Sequence, residues 1–456
     1  MKIFSTQALS AAELQNVLAR PTMESDAELR QIVANIINGV REGGDQALIE
    51  FGRKFDGQAP ESLLVPPEQL ASAADELDAD LLDAIDTAIA TVTRFHQAGK
   101  PSDIEVETAP GVRCQARWRA LETVGLYVPA GTAPLPSTAI MLGVPATLAG
   151  CKQIVLATPP GADSRADAAV RAIAHRLGIS TVLVAGGAQA VAAMAYGTDS
   201  VPKAAKIFGP GNRFVAEAKR QVAEYADGAA MDLPAGPSEV LIIADRTATP
   251  EFVAIDLLSQ AEHGPDSQAF LITDDACLAD SVSLAVDKLL NELPRAETAR
   301  AAIDNSAALL VDCMDEAIEI SNTYAPEHLI IATDNPDQIC DGVISAGSVF
   351  LGHYTPESLG DYISGTNHVL PTAGWAHAYA GLSISDFMRR MTVQQASPDG
   401  LKTLGPPGAR LAAHEGLDAH RLAIQIRLDA LNNDDGKHDG EATNNDGARQ
   451  DKASLA

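Results

Sequence analysis

Two runs of apolar residues at helical spacing lie near the start of the chain. The first consists of Leu29, Ile32, Val33, Ile36 and Val40, and the second of Leu77, Leu81, Ile85, Ile89 and Val92. Residues three and four apart fall on one face of a helix, so these runs predict amphipathic helices between Asp26 and Lys100. Apolar and polar residues then alternate from Val106 to Trp118, which indicates strands.

Beyond Val124, short apolar segments alternate with segments of helical pattern. One set of apolar segments covers residues 154–156, 182–184 and 207–208, and a second set covers 240–243, 269–272 and 309–311. Strands that are apolar on both faces and joined by helical crossovers form parallel sheets. The sequence therefore predicts an α/β fold with two tandem Rossmann-like domains, and the strands near Val124 are expected to join one of them.

The segment from residue 381 to 431 is too small to hold a core of its own. It contains Phe387, Met388 and Met391, then a Gly405-Pro406-Pro407-Gly408 break, then a helical pattern through Leu422, Ile426 and Leu428. We expect a helical segment that packs on a neighbour. Residues 432–456 consist largely of Asn, Asp, Gly and Lys, so we expect them to be disordered.

These patterns predict five successive parts of the chain. They are an N-terminal helical segment whose strands join the first Rossmann-like domain (1–125), that first domain (126–236), a second Rossmann-like domain (237–380), a C-terminal helical segment (381–431) and a disordered acidic tail (432–456).

The charge of the chain restricts its partners. A formal net charge of -28 and an isoelectric point near 4.6 disfavour nucleic acid and anionic membranes, because a polyanion would be repelled. No apolar run approaches the ~20 residues that span a bilayer, and no basic, then apolar, leader opens the chain. We therefore expect a cytoplasmic protein that binds a small molecule.

The cysteines do not form a recognisable site. Cys114, Cys151, Cys277, Cys313 and Cys340 are far apart and include no C-x-x-C pair. Each lies in or beside an apolar run, where cysteine behaves as a small buried hydrophobic residue. A nucleophilic cysteine that forms a thiohemiacetal is the alternative, but none of the five has an obvious neighbouring base.

Two short motifs carry side chains suited to catalysis. Gln260 and His263 are three residues apart at the end of a predicted helix, so both can project from one face towards a single metal ion. An isolated pair of this kind is more often two solvated polar residues at a helix end. Glu327 and His328 follow Pro326, which favours extended backbone before it, so both side chains can point into a cleft at the mouth of a strand. The alternative is a surface charge pair.

Two glycine turns indicate phosphate binding. Gly186-Gly187-Ala188-Gln189 and Gly209-Pro210-Gly211-Asn212 each lead from a predicted strand into a helix, where free backbone N–H groups can hold phosphate oxygens. The usual G-x-G-x-x-G dinucleotide motif follows no strand, which disfavours a generic Rossmann dehydrogenase. Asn212 could instead serve only as the cap of its helix.

Five motifs in a fixed order give the chain a family resemblance. They are Gly236-Pro237-Ser238-Glu239, the turn from Gln260 to Gly264 followed by Pro265-Asp266-Ser267, Tyr324-Ala325-Pro326-Glu327-His328-Leu329, the segment from Gly360 to His368, and His414-Glu415-Gly416-Leu417-Asp418-Ala419-His420. The chain resembles the histidinol dehydrogenases, zinc enzymes that make histidine from histidinol. The resemblance extends from the N-terminal helices to about residue 430, which leaves only the tail outside it.

This resemblance implies a set of site residues. One zinc ion per subunit would be held by Gln260, His263, Asp361 and His420, with His368 supporting Asp361. His328 would be the base for the alcohol and Glu327 the activator of water. Substrate contacts would come from Ser238 and Glu415 together with Gln260, His263, His328, Asp361 and His420, and NAD contacts from Tyr127, Gln189 and Asn212. The resemblance also implies a homodimer in which the C-terminal segment contributes to the partner's site.

The implied reaction is the zinc-dependent, NAD-linked oxidation of L-histidinol through L-histidinal to L-histidine, the last steps of histidine biosynthesis. One rival is a related dehydrogenase that acts on another small alcohol, such as a sulfonated diol. Glu415 disfavours it because a carboxylate repels a sulfonate. Another is a non-catalytic binding protein built from two similar domains, which would have no use for a Glu-His pair beside metal ligands.

Overall fold

The computed structural model describes residues 1–21, 27–55, 60, 62–130, 134–234 and 236–442, with side chains to residue 433. The chain divides into two compact units. The first consists of Met1–Lys100 and Ala120–Met388, and the second consists of Pro101–Arg119 and the chain from Arg389 onward. In the described part of the chain, no helix has both the length and the apolar character needed to cross a membrane.

The described residues form fourteen strands and sixteen α-helices. The strands are β1 (Lys2–Ser5), β2 (Ile104–Ala109), β3 (Val112–Ala120), β4 (Thr123–Tyr127), β5 (Gln153–Thr158), β6 (Thr181–Val184), β7 (Lys206–Phe208), β8 (Ala230–Met231), β9 (Glu239–Ala244), β10 (Gln268–Thr273), β11 (Ala307–Leu310), β12 (His328–Ala332), β13 (Ser348–Leu351) and β14 (Met388–Ala396). The helices are α1 (Ala11–Val17), α2 (Ala27–Phe55), α3 (Pro67–Ala71), α4 (Ala79–Ala98), α5 (Pro136–Ala149), α6 (Ala168–Arg176), α7 (Gly187–Tyr196), α8 (Arg213–Ala223), α9 (Pro250–Ala261), α10 (Ala276–Leu290), α11 (Ala296–Asp304), α12 (Met314–Tyr324), α13 (Pro336–Cys340), α14 (Glu357–Tyr362), α15 (Pro398–His414) and α16 (Asp418–Ala442).

A six-stranded parallel sheet contains the strands of the second predicted set. Its order is β1-β11-β10-β9-β12-β13. Every residue of β9, β10 and β12 is buried, because helices cover both faces. Helices α9, α10 and α11 pack on one face and α12 packs on the other. This double coverage explains why the strands are continuously apolar in the sequence.

A five-stranded parallel sheet contains the first predicted set, in the order β6-β5-β4-β7-β8. Helices α2, α7 and α8 contribute to the core on one face, and α4, α5 and α6 to the core on the other. Strand β4 lies at the centre, so the apolar segment at Val124 joins this sheet as expected. Two parallel α/β sheets confirm the predicted fold class, and both belong to the first unit.

The strands between Val106 and Trp118 have a different partner from the one we expected. Strands β2 and β3 do not join the five-stranded sheet but form a three-stranded sheet with β14, in the order β14-β3-β2. Strand β2 is exposed at five of its six positions and β3 is mostly half-buried, unlike strands in a sheet that helices cover on both sides. The domain boundaries inferred from the sequence stay predictions.

The C-terminal helices also depart from the expected pattern. The Gly405-Pro406-Pro407-Gly408 segment does not interrupt the helix, since α15 continues through both prolines. Its glycines allow a close approach to α16, because a Cβ atom at Gly405 would lie 3.1 Å from Leu428 Cδ1. Proline within a helix is destabilising, which is why the sequence pattern predicted a break here. Helix α16 runs to Ala442, so residues 432–442 are helical where we expected disorder, and residues 443–456 lie outside the described residues.

Candidate active site

Helix α9 places the two predicted metal ligands Gln260 and His263. The helix begins at Pro250, which suits a first helical position, and Gln260 lies in its last turn with 1% of its surface exposed. His263 follows the helix end by two residues and is exposed. The sequence correctly placed this pair at the end of a helix.

Strand β12 places Glu327 and His328. Helix α12 ends at Tyr324, and Ala325 adopts the left-handed conformation with φ 51°. The chain then enters β12 at His328, so both side chains lie at the amino end of the strand, and both are buried. The helix ends before Pro326 as expected, but Ala325 is left-handed where the proline favours extended backbone.

Both sheets of the first unit contribute to one cavity of about 680 Å³. Tyr127, Pro159, Gly186 and Pro210 line it from the carboxyl ends of β4, β5, β6 and β7. On the opposite side, Ser238 and His328 line it from the amino ends of β9 and β12. The volume suits a small-molecule or cofactor site.

The backbone of Glu239 holds the Glu327-His328 pair. His328 Nδ1 lies 3.2 Å from the Glu239 carbonyl oxygen, and Glu327 Oε2 accepts a hydrogen bond of 2.9 Å from the Glu239 N–H. A carbonyl oxygen only accepts, so a hydrogen bond here requires the imidazole proton on Nδ1, while the Gln260 amide nitrogen lies 3.3 Å from the same atom. His328 Nε2 is therefore directed elsewhere, and Asp361 Oδ1 lies 3.4 Å from it.

Burial and mutual charge shift the pKa values of this group. Burial raises the pKa of Glu327 to about 8, and burial raises that of Glu357 to about 8. Burial opposes a charge on His328, but the carboxylates of Glu327 and Glu357 outweigh it and raise the imidazole pKa to about 10. Asp361 is also desolvated, yet its contact with His328 holds the carboxyl pKa below its usual value.

The donor set around Asp361 fits a zinc ion. Ligand atoms of His263, Glu357 and Asp361 all lie within 4.8 Å of one another. The Gln260 amide satisfies its neighbours with its nitrogen towards Glu357 Oε1 at 3.0 Å and its oxygen towards the Glu239 N–H at 3.2 Å. Imidazole and carboxylate are ordinary zinc ligands. Several carboxylates around one imidazole also leave negative charge that a divalent cation would balance.

Glu357 is the site residue that our sequence reasoning missed. It is 1% exposed and accepts a hydrogen bond of 3.1 Å from Ser259. A signal was present, because Glu357 lies four residues before Asp361 and both belong to α14. Residues four apart share one face of a helix.

The predicted substrate and metal residues divide between the two units. Ser238, Gln260, His263, Asp361 and His368 line the cavity of the first unit. Glu415 and His420 belong to the second unit, at the C-terminal cap of α15 and in the first turn of α16. Their roles at the site stay predictions.

His368 contacts the backbone of Asp361. His368 Nδ1 lies 2.8 Å from the Asp361 carbonyl oxygen, and its Nε2 lies 3.3 Å from Thr138 Oγ1. Burial lowers the pKa of His368, which favours the neutral ring. These contacts are those of a residue that supports Asp361.

Tyr127, Gln189 and Asn212 all line the cavity beside the glycine turns. The Tyr127 hydroxyl accepts a hydrogen bond of 3.0 Å from the Gly187 N–H, at the start of α7. Asn212 Oδ1 accepts from Phe214 N at 3.0 Å, so this residue caps α8. Because only the side-chain oxygen of Asn212 serves as the cap, its amide nitrogen can bind a ligand in the cavity.

A buried ion pair braces the second glycine turn. Lys219 pairs with Asp232, and both side chains are almost fully buried. Lys219 Nζ donates to the Gly209 carbonyl oxygen at 2.9 Å, and Asp232 Oδ2 accepts from the Gly209 N–H at 2.8 Å. Gly209 has φ 117°, and a Cβ atom there would lie 2.2 Å from the Tyr127 carbonyl oxygen. The turn and β4 therefore require glycine at this position.

The five cysteines are free, and none appears among the described residues that line the cavity. Burial raises the pKa of the Cys151 thiol to about 11, which disfavours a nucleophilic thiolate. Cys277 and Cys313 are exposed, contrary to the buried role that we expected, because they flank apolar runs without pointing into them.

The fold and the cavity define an α/β enzyme in which a buried carboxylate–imidazole pair faces glycine turns of the phosphate-binding type. Such a combination is typical of dehydrogenases. Residues 18–428 match the family model described as histidinol dehydrogenase. The chain belongs to the histidinol dehydrogenase family, and it is therefore an oxidoreductase.

Individual relatives agree with this assignment. The chain is 51% identical over 423 residues to the histidinol dehydrogenase of Idiomarina loihiensis, which covers 93% of this chain and 96% of the relative. It is 50% identical over 429 residues to that of Escherichia coli, with coverage of 94% and 98%. The crystal structure of histidinol dehydrogenase from Elizabethkingia anophelis superimposes with a TM-score of 0.91 at 42% identity, covering 95% of this chain and 99% of that one.

Proposed function

We propose that the protein oxidises L-histidinol through L-histidinal to L-histidine, with zinc bound and NAD as the electron acceptor, as the last steps of histidine biosynthesis. The observation that carries this proposal is the buried Glu327-His328 pair, which shares one cavity with metal-type ligands and with glycine turns. Family membership supports the substrate.

Gln260, His263, Asp361 and His420 are the proposed ligands of one zinc ion per subunit. Zinc at this position supplies a template that orients the substrate towards the cofactor. Glu357 lies beside this set and holds the amide of Gln260. Ser238 and Glu415 are proposed to contact the substrate, whose cationic amine suits a site rich in carboxylates.

His328 is proposed as the base for the alcohol. Its Nδ1 is committed to the Glu239 carbonyl oxygen, so Nε2 is the atom that accepts the hydroxyl proton. With the neighbouring carboxylates ionised, the imidazole pKa is raised to about 10, which keeps the ring protonated. Positive charge held at His263 and Asp361 would lower this pKa and release Nε2 for catalysis.

Glu327 is proposed to activate water for attack on the aldehyde. Its carboxyl group is buried, and its pKa is raised to about 8, close to a neutral working pH. A group with a pKa near the working pH both accepts and returns a proton readily. The Glu239 N–H fixes Oε2, so the carboxylate keeps one orientation.

Tyr127, Gln189 and Asn212 are proposed to contact NAD, which supplies hydride acceptance when bound. The cavity fits a dinucleotide because both glycine turns open into it. Backbone N–H groups at the starts of α7 and α8 would face the pyrophosphate. The residues of the first unit thus offer a cofactor side and a substrate side in one cavity.

The second unit is proposed to pack on a partner copy in a homodimer, so that Glu415 and His420 contribute to the partner's site. Leu411, Leu417, Leu422 and Ile426 surround these residues in the sequence and are 42–65% exposed. Exposed apolar side chains in such a cluster are typical of an interface. We also propose a cytoplasmic location.

The reaction is tested by mixing purified protein, NAD and histidinol and measuring NADH formed against histidinol consumed. We expect two NADH per histidinol, since both the alcohol and the aldehyde are oxidised. One NADH per histidinol, with histidinal accumulating, would contradict the four-electron assignment. Activity on a sulfonated diol with none on histidinol would favour the rival dehydrogenase.

A further inference from the structure

Arg20 and Glu239 form a bidentate ion pair inside the first unit, although 219 residues separate them in the chain. Arg20 Nε lies 2.5 Å from Glu239 Oε1, and its Nη2 lies 2.9 Å from Oε2. The Glu239 side chain is 2% exposed and that of Arg20 is 24% exposed. Parallel N–H···O bonds of this kind fix both position and orientation.

Other contacts hold this ion pair in place. Arg20 Nη2 donates to the Tyr324 carbonyl oxygen at 2.7 Å, and the guanidinium carbon lies 3.9 Å from the centroid of the Tyr324 ring. The Ala373 N–H donates to Glu239 Oε1 at 2.9 Å. The guanidinium thus connects β9 to the end of α12, which leads directly into the Glu327-His328 pair.

Glu239 carries this constraint to the catalytic pair through its own backbone. Its N–H donates to Glu327 Oε2, and its carbonyl oxygen contacts His328 Nδ1. Strands β9 and β12 are neighbours, with Val240 paired to His328. A shift of Glu239 would therefore move the carboxylate and the imidazole together.

We propose that Arg20 is a positioning residue that fixes Glu327 and His328 through Glu239. This inference rests on the proposed function, because it assumes that the pair performs the chemistry. Arg20 is absent from the cavity lining, so its loss should leave the binding of histidinol and NAD nearly unchanged. Misplaced catalytic groups should instead lower kcat, since small displacements are costly to reactions that depend on alignment.

The first experiment compares Arg20→Met and Arg20→Lys with the parent enzyme, each loaded with zinc. We expect kcat to fall by about tenfold or more in Arg20→Met, with KM for both substrates within about twofold. Arg20→Lys should recover part of the rate, because it keeps the charge but loses the bidentate contact. A parent-like kcat in a folded Arg20→Met variant would overturn the proposal.

Arg171 provides a matched control. It is 1% exposed and makes bidentate contacts of 3.0 and 2.7 Å with Glu76, but it does not line the cavity. Arg171→Lys should lower thermal stability and leave kcat unchanged. If Arg171→Lys and Arg20→Lys reduce kcat equally, Arg20 acts only through general stability and the proposal fails.

A double-mutant cycle separates this inference from the proposed function. Arg20→Met should slow single-turnover oxidation of histidinal much less in a Glu327→Gln background than in the parent, since the positioned carboxylate is already gone. Additive effects would overturn the positioning role. A parent-like rate in Glu327→Gln alone would contradict the proposed role of Glu327 instead.

Removal of Arg20 leaves a buried carboxylate without its partner, which is destabilising. The combined variant Arg20→Met/Glu239→Gln avoids this unpaired charge and can still offer the same backbone groups. We expect it to fold, as judged by circular dichroism, and to retain the kcat defect with near-normal KM. Full recovery of kcat in this variant would show that the ion pair does not position the site.

Discussion

Asp361 Oδ1 lies 3.4 Å from His328 Nε2. A predicted metal ligand and the proposed base are therefore in direct electrostatic contact. A negative charge on Asp361 favours protonated imidazole, whereas a cation bound by Asp361 would favour the neutral form. A metal ion bound by Asp361 would thus be coupled to the protonation of His328.

Asp361→Asn is expected to reduce bound zinc from about one ion per chain to nearly none and to abolish turnover. The fold should persist, because the metal ligands join separate elements without building a core. Metal analysis and circular dichroism measure these two outcomes. The exposed residue Asp287, which lies outside the cavity, supplies the control variant Asp287→Asn. Full zinc content in Asp361→Asn would remove Asp361 from the ligand set.

Glu327→Gln is expected to slow oxidation of supplied histidinal by about a hundredfold or more, the usual size of a lost general base. The amide is similar in size and can accept the Glu239 N–H, so the position should be retained. First-turnover oxidation of histidinol should change little, whereas His328→Asn should impair it. Rapid-mixing measurements of NADH separate the steps. Normal histidinal oxidation by Glu327→Gln would contradict this division of roles.

Tyr127→Phe is expected to raise KM for NAD by about fivefold, corresponding to one hydrogen bond of about 1 kcal/mol. The change removes the hydroxyl that accepts from the Gly187 N–H at the start of α7. Steady-state kinetics with varied NAD would measure it. Tyr225→Phe is the control, because Tyr225 is 59% exposed and does not line the cavity. An equal KM for NAD in the two variants would argue against a role of Tyr127 in binding the cofactor.

Replacement of Cys151 or Cys114 by Ala is expected to leave most of the catalytic rate. Cys151 is half-buried, and its Sγ lies 3.8 Å from the Phe387 carbonyl oxygen, outside the cavity. Loss of packing should cost roughly 1 to 2 kcal/mol of stability. Activity and thermal unfolding would be measured on zinc-loaded protein. A folded variant without turnover would support the alternative hypothesis of a nucleophilic cysteine.

Glu76→Gln is expected to change how stability depends on pH. Hydrogen bonds from Arg171, assisted by Arg165, lower the pKa of Glu76 to about 2 in the folded protein, below its value of ~4.3 in an unfolded chain. Its contribution is therefore present above that unfolded value and is lost as the pH falls towards 2. Urea unfolding should show that Glu76→Gln lowers the free energy of unfolding, relative to the parent, more at pH 7 than at pH 3.

Glu122→Gln serves as the comparison for that pH series. Glu122 pairs with Lys152 at 3.3 Å, and both side chains are more than three-quarters exposed. An exposed ion pair contributes little, so this variant should unfold like the parent at both pH values. Equal deficits for Glu76→Gln at the two pH values would show that its ion pair does not shape the acid response.

The sequence by itself determined the features that depend on local spacing. Apolar runs bounded by helices predicted β9, β10 and β11, because strands covered on both faces need apolar side chains along most of their length. Gln260 and His263 both line the cavity at the end of α9, as their spacing at a predicted helix end indicated, although His263 lies two residues beyond the helix. The end of α12 just before Pro326 was also predictable, because a proline disfavours helix at the residue before it, although Ala325 is left-handed and not extended.

Only the tertiary structure decided the features that join distant parts of the chain. The partnership of β2 and β3 with β14, the continuation of α15 through Pro406 and Pro407, and the contact of Arg20 with Glu239 have no counterpart in local periodicity. The convergence of Glu357 with His263 belongs to the same class. Local spacing sets which face of an element is apolar, but packing free energy between elements selects which faces meet, and that selection depends on the whole chain.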